Sequence, residues 1–142
     1  FIGLDKDATY KSYSKALSLI LNGAKIIGTN NDRILAKPGG FEVGNGSVVD
    51  MFEYATNQKS PRIGKPNRAI LDLCLEYFVL KEDEIILIGD NLETDIKLGF
   101  EQNIETVLVQ TGVHKKEDIE QLKIYPTHVV NTLMDLVDYN FD

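Results

Sequence analysis

The sequence predicts an α/β protein, a parallel sheet with helices on both faces, preceded by a smaller α/β segment. Three observations predict it. Ile85-Ile86-Leu87-Ile88 is an unbroken apolar run that stops at Gly89-Asp90, the pattern of a strand covered on both faces. From residue 62 onward, short apolar runs alternate with stretches of helical periodicity, as βαβ units do. The apolar fraction is 43% over 142 residues, enough for a real core.

Taken in order, residues 1–4 read as a strand and Thr9 as a helix N-cap. Tyr13, Ala16, Leu17, Ile20 and Leu21 follow at three- and four-residue spacing, the apolar stripe of a helix. Asn22-Gly23 suits its C-terminal end. Residues 24–29 read as a second strand. Residues 30–44 hold two polar clusters and a Gly-Gly, which predicts a long loop. Gly46-Ser47 opens a helix through Val48, Val49, Phe52 and Ala55. Gly44-Asn45-Gly46-Ser47 could cradle an anion there, but a tight turn into the helix is the favoured reading.

After a polar linker at 56–60, residues 62–64 form a very short strand. Pro66 suits the first turn of a helix, with Ile70, Leu71, Cys74, Leu75 and Phe78 on one face. Then come a strand at 85–88, a helix near 94–102, a strand at 106–109, a short helix at 116–122, a strand at 128–130 and a closing helix at 132–137.

The net charge is −7, with acids spread along the chain. Nucleic acid and anionic membrane both want clustered Lys and Arg, so neither is expected as a partner. No stretch approaches the length of a membrane-spanning helix. The one cysteine, Cys74, excludes an internal disulfide and fits a reducing, cytoplasmic compartment. Its helical spacing predicts a buried thiol rather than a nucleophile. His114 and His128 lack metal-ligand spacing and read as structural. Residues 117–120 read as a solvated acidic face.

The chemistry concentrates at two strings. In a parallel sheet ligands sit beyond the carboxyl ends of the strands, which is where Asp90 falls. Glu93 and Asp95 crowd the same loop, and hard carboxylate oxygens suit Mg²⁺. The same acids also suit a turn and a helix start. In Gly64-Lys65-Pro66 an ammonium stands at the same sheet edge, a point charge suited to phosphate, although a surface lysine before a helix has the same local pattern. Together, in a β-α-β frame, the two strings point to a phosphoryl group between Lys65 and Mg²⁺.

These strings resemble the haloacid-dehalogenase superfamily of phosphatases, in the subgroup with a large α/β cap that includes 4-nitrophenylphosphatases, phosphoglycolate phosphatases and NagD-type nucleotide phosphatases. Gly64-Lys65-Pro66 is similar to the third superfamily motif, and Gly89-Asp90 through Asp95 to the fourth. Gly3-Leu4-Asp5 with Thr9-Tyr10 resembles a cap strand and helix start. Gly28-Thr29-Asn30-Asn31-Asp32 resembles the cap string Thr-Asn-x-Asp, and residues 108–113 the strand and turn after the fourth motif. The resemblance implies the carboxyl-terminal part of a Rossmann-like phosphatase, with residues 1–58 from the cap and 59–142 from the core. It implies that Lys65 steadies the phosphoryl group. Asp90 would bind Mg²⁺ directly or through water, with Asp95 a further ligand or a partner one layer out. Asn91 would support the loop, and Asn30, Asn31 and Asp32 would meet substrate from the cap. Asp5 and Asp7 read as structural.

The family's first motif, Asp-x-Asp-Gly with its nucleophile, is not in the chain. Asp5-Lys6-Asp7-Ala8 has the carboxylate spacing, but Lys6 and Ala8 fit poorly. The second motif, a strand-end Ser or Thr, is also missing ahead of the cap. The expectation is therefore a piece of a longer phosphatase of small phosphorylated metabolites, its amino-terminal part lying upstream and this chain inactive alone. Caps of this subgroup often form homodimers, and that is expected here. Two rivals stand beside it, a non-catalytic Mg²⁺-binding module and a dimerisation module. A receiver-like domain would place its acidic pair early and its lysine late, the reverse of this order.

Overall fold

The computed structural model describes residues 1–137, 139 and 141. It is an α/β structure in two units, Phe1–Gly64 and Lys65–Asp142. No helix among the described residues is long and apolar enough to cross a membrane.

In the first unit three extended segments run parallel, each one bridge long: Ile2 pairs with Gly28, and Gly28 with Arg62. The expected strands at 1–4 and 24–29 shrink to these bridges. Helix α1 (Tyr10–Leu21) connects the first two segments, and the Thr9 hydroxyl accepts from the Ser12 N–H to cap it. Helix α2 (Asn45–Thr56) starts after Gly44. Ile20, Ile26, Val49 and Phe52 form the core, with Tyr13 edge-on to Phe52 at 6.0 Å. Leu21, predicted on the apolar stripe, is exposed, because it lies past the last residue that faces α2. The predicted loop at 30–44 is instead largely a hairpin: β1 (Ile34–Lys37) pairs antiparallel with β2 (Gly40–Val43). Pro38-Gly39 makes its turn, a dipeptide that favours reversal.

In the second unit β3 (Ile86–Gly89), β4 (Glu105–Val109) and β5 (His128–Val130) form a parallel sheet in the order β3-β4-β5. Helices α3 (Ala69–Phe78), α4 (Lys97–Gln102) and α5 (Asp118–Leu122) alternate with the strands. The central strand β4 is the driest, with Thr106, Val107 and Leu108 fully buried. Thr106 and Thr127 exchange backbone and side-chain hydrogen bonds at 3.0 and 3.1 Å, which sets the start of β5 beside β4. Leu71, Leu98 and Ile104 (with Leu87) and Leu92, Ile96 and Leu108 (with Val129) pack on one face of the sheet, and Val107, Val109 and Val130 with Ile86 form the other.

Three expectations fail here for one reason: periodicity shows which residues share a face, not what covers the face. The run 85–88 is covered only in part: Leu87 packs against the Leu71 and Leu98 cluster on one face and Ile86 against the Val107 and Val130 cluster on the other, but Ile88 is 47% exposed. Cys74 is exposed rather than buried. Phe78, on the same helix, is exposed as well. Pro66 also misses the helix. It lies in a turn after a cis Lys65–Pro66 peptide, and α3 starts at Ala69, whose N–H is taken by Asn67 Oδ1 at 2.9 Å. The closing helix at 132–137 is a single 3₁₀ turn, Leu133–Leu136, with Thr132 and Asp135 exchanging cap bonds.

Candidate active site

The carboxyl end of β3 delivers Asp90, and the chain then enters a π-helical turn, Leu92–Ile96, before α4. Such turns are rare and frequent at functional sites. Its wider ring lets Asp95 fold back towards the strand end. Lys65 Nζ donates to Asp95 Oδ1 at 2.5 Å, and the Asn91 N–H to Asp95 Oδ2 at 3.2 Å. The ion pair is asymmetric: the Lys65 side chain is 48% exposed, that of Asp95 only 10%. The ammonium therefore keeps a face towards solvent while the carboxylate is held in the protein.

Asp90 is anchored from the strand next door. The loop after β4 brings the Val113 N–H to Asp90 Oδ2 at 2.9 Å, and the His114 N–H to the Asp90 carbonyl at 3.0 Å. The His114 ring accepts the Leu92 N–H on Nδ1 at 3.1 Å, so a neutral ring carries its proton on Nε2. Asn91, buried, accepts the Glu93 N–H on its side chain at 2.9 Å. A side chain at Gly112 would place Cβ 1.6 Å from Asp90 Oδ2. Only glycine lets that loop approach the acid so closely.

The second unit thus brings Lys65, Asp90, Asn91 and Asp95 to one strand end. Asn30, Asn31 and Asp32 lie in the first unit, in the loop before β1. Asn30 Nδ2 donates to Asp32 Oδ2 at 2.5 Å, and Asn45 Nδ2 to Asn30 Oδ1 at 3.0 Å. Asn31 Oδ1 takes an N–H from Arg62 at 2.5 Å. Asp5 and Asp7 are exposed, and Asp5 Oδ1 accepts the Asp7 N–H in a tight turn.

Arg62, Gly112, Val113 and His114 carry much of this geometry and were not foreseen as site residues. A lone arginine in a short apolar strand was a signal for the first. A glycine just past a strand end signals the second. Backbone donors such as the Val113 N–H leave no trace in residue type. His128 is satisfied on both nitrogens, by Glu105 at 2.5 Å and the Tyr139 hydroxyl at 2.7 Å.

The donor set fits a hard cation. Asp90 and Asp95 offer carboxylate oxygens, and Thr94 Oγ1, between them in sequence, is buried with no hydrogen-bond partner among the described residues. No three His, Cys, Asp or Glu side chains converge among the described residues. Mg²⁺ typically takes one or two carboxylates and completes its shell with waters and substrate phosphate, which matches a two-acid site better than a full protein cage would.

A family model described as HAD-hydrolase-like matches residues 62–136. The acid sugar phosphatase of Staphylococcus saprophyticus is 37% identical over 136 residues, 96% of this chain and 52% of that protein. The dihydroxyacetone phosphatase of Corynebacterium glutamicum is 35% identical over 140 residues, 97% of this chain and 51% of that protein. Among solved structures, a 4-nitrophenylphosphatase from Thermotoga maritima superposes with a TM-score of 0.84 at 33% identity, covering 96% of this chain and 53% of its own. The chain spans about half the length of the curated relatives it matches. On the family match and on this strand-end arrangement, the chain belongs to the HAD-like hydrolases.

Proposed function

We propose that these residues are part of a Mg²⁺-dependent phosphatase of small phosphate monoesters, with the Lys65, Asp90 and Asp95 cluster as its phosphate and metal site. The observation that carries it is the half-exposed Lys65 ammonium held on Asp95 at the strand end that also presents Asp90. A fixed cation beside hard oxygen donors suits a phosphoryl group. The relatives' names, acid sugar phosphatase and dihydroxyacetone phosphatase, support a small metabolite as substrate.

In this reading residues 1–58 are the carboxyl-terminal part of a cap and residues 59–142 belong to the core. Lys65 binds a phosphoryl oxygen and offsets charge as the ester bond breaks. Asp95 keeps that ammonium in place, and Asn91 keeps Asp95 in place. Asp90 and Asp95 would hold Mg²⁺, which when bound supplies further charge neutralisation. The chain contains no Asp-x-Asp-Gly string. The attacking carboxylate then comes from outside residues 1–142, forming an aspartyl-phosphate that water hydrolyses. The apolar strand β3 at the edge of its sheet supports further polypeptide pairing there. Exposed Phe41, Val43 and Met51 on the first unit support self-association through the cap.

The test is 4-nitrophenyl phosphate hydrolysis with Mg²⁺, with and without EDTA. The 142-residue chain is expected to be inactive while showing a folded circular-dichroism spectrum. The full-length protein is expected to turn over and to lose on the order of 10²–10³-fold in kcat with Lys65→Ala. EDTA-sensitive turnover by the short chain, abolished by Asp5→Asn, would move the nucleophile into these residues and refute the division of labour.

A further inference from the structure

Three successive backbone N–H groups, those of Asn91, Leu92 and Glu93, open the π-helical turn after Asp90. The N–H groups at a helical start have no partner within the helix, and each one here is taken by a side chain. The Asn91 N–H donates to Asp95 Oδ2 at 3.2 Å, and the Glu93 N–H to Asn91 Oδ1 at 2.9 Å. Both of those acceptors stand at the turn itself. The Leu92 N–H donates to His114 Nδ1 at 3.1 Å, and His114 stands 22 residues further on, in the loop after β4. Leu92 is fully buried, so that N–H has no ready substitute in water, and leaving it without an acceptor is costly.

The loop that carries His114 is held as one piece. The Val113 N–H donates to Asp90 Oδ2 at 2.9 Å, and the His114 N–H to the Asp90 carbonyl at 3.0 Å. Just beyond His114, the Lys115 ammonium donates to the carbonyls of Gln110 and Gly112, and the Lys115 N–H to Asp118 Oδ2 at 2.7 Å. The backbone at 113–114 thus anchors Asp90 whatever side chain stands at 114. The ring does a second job: it ties that same loop to the turn that carries Asp95. An imidazole that accepts at Nδ1 carries its hydrogen on Nε2, so neither ring nitrogen has a lone pair to offer a metal.

We infer that His114 is a positioning residue of the metal site. Its Nδ1 holds the first turn of Leu92–Ile96 against the loop that anchors Asp90, so the Asp90 and Asp95 carboxylates keep one placement relative to each other. The ring itself touches neither the metal nor the phosphoryl group. This rests on the reading of Asp90 and Asp95 as Mg²⁺ ligands.

The test is calorimetric binding of Mg²⁺ alone, without substrate, to the full-length protein carrying His114→Asn or His114→Leu. The Oδ1 of asparagine falls near the place of the imidazole Nδ1 and still accepts the Leu92 N–H, whereas leucine fills similar space and accepts nothing. The Mg²⁺ Kd is expected to rise about tenfold or more in His114→Leu, as when a partner of a metal ligand is removed, and to stay within about threefold of wild type in His114→Asn. A histidine that only supports the fold would lower Tm and leave the Kd where it was. An unchanged Kd in His114→Leu overturns the inference and leaves the phosphatase reading intact. An equal rise in both variants also overturns it, because the acceptor would then not be what matters. The ring ¹⁵N shifts of the wild-type protein test it without any substitution: a bare Nδ1 and a protonated Nε2 are expected, and a hydrogen on Nδ1 overturns the inference. Wild-type protein that binds no Mg²⁺ overturns the metal reading and the inference with it. Mg²⁺ binding without turnover of 4-nitrophenyl phosphate overturns the phosphatase reading alone.

Discussion

Glu53 offers the sharpest quantitative test of the first unit. Its side chain is 7% exposed. Burial pushes its carboxyl up, but hydrogen bonds from Ser60, Arg62 and Lys59 outweigh that and bring it from 4.5 down to about 2. A folded value below the unfolded one means that Glu53 adds stability that is fully present above pH 4.5. That stability is lost progressively as the pH falls towards 2. At about 1.4 kcal/mol per pH unit, the difference amounts to about 3 kcal/mol. Lys59 is 93% exposed and adds little to this sum. Ser60 and Arg62 carry it.

The perturbation is Glu53→Gln, which preserves shape and an acceptor for Ser60 but removes the charge that answers Arg62. It is expected to cost about 2 kcal/mol at pH 7, since hydrogen bonds to charged groups are worth about 1.5–3 kcal/mol. Urea unfolding followed at the amide resonances of Val49 and Phe52 reports on this unit separately from the sheet. Between pH 4.5 and 2 the wild-type chain should lose stability more steeply than the variant, and the two curves should converge at the acid end. Parallel curves over that window would refute the assignment of this stability to Glu53.

Two further outcomes follow from close approaches and backbone angles. Gly112→Ala drives a methyl group into Asp90 Oδ2, so the acid or its loop must move. Mg²⁺ affinity of the full-length protein, read by calorimetry, is expected to fall at least about tenfold, as it does when partners of a metal ligand are displaced. Val79 closes α3 at φ 57°, a left-handed conformation that a β-branched residue adopts only under strain. Val79→Gly is expected to raise the denaturant midpoint by about 1 kcal/mol equivalent.

Local signals in the sequence carried most of the element order. The Thr9 cap needs only Ser12 beside it, and the strand at 128–130 needs only its own β-branched run and flanking turn residues. The hairpin β1–β2 was hidden because Lys37-Pro38-Gly39-Gly40 is dominated by turn formers that also describe a loop. What sets it apart is pairing between Ile34 and Val43, nine residues away. Exposure of Leu21, Cys74 and Phe78 could not be read from spacing. Asp90 stood out because it ends an apolar run, Asp95 as a second acid five residues on, and Lys65 as a cation between a short strand and a proline. The Val113 N–H, the His114 ring and the Arg62 fork were not legible, because each acts on a residue 22 to 31 positions away.

The two cations differ in their surroundings, and they lie three residues apart in the chain. The Arg62 side chain is only 15% exposed, its planar fork shared among Ser60, Asn31 and two carboxylates. Such a group is bound in several directions at once, so it orients a neighbour permanently and has little charge left for a ligand. Lys65 is 48% exposed, a compact point charge resting on the buried carboxylate of Asp95. That arrangement keeps the ammonium in place without enclosing it, as the phosphate-binding role proposed for it requires. An exchange of the two types would fail on both counts. A lysine at 62 could not hold the Asn31 oxygen and two acids together. An arginine at 65 would bring a larger fork to Asp95, whose second oxygen is already committed to the Asn91 N–H. The stretch where one unit ends and the next begins therefore supplies each unit with the kind of cation its polar loop can use.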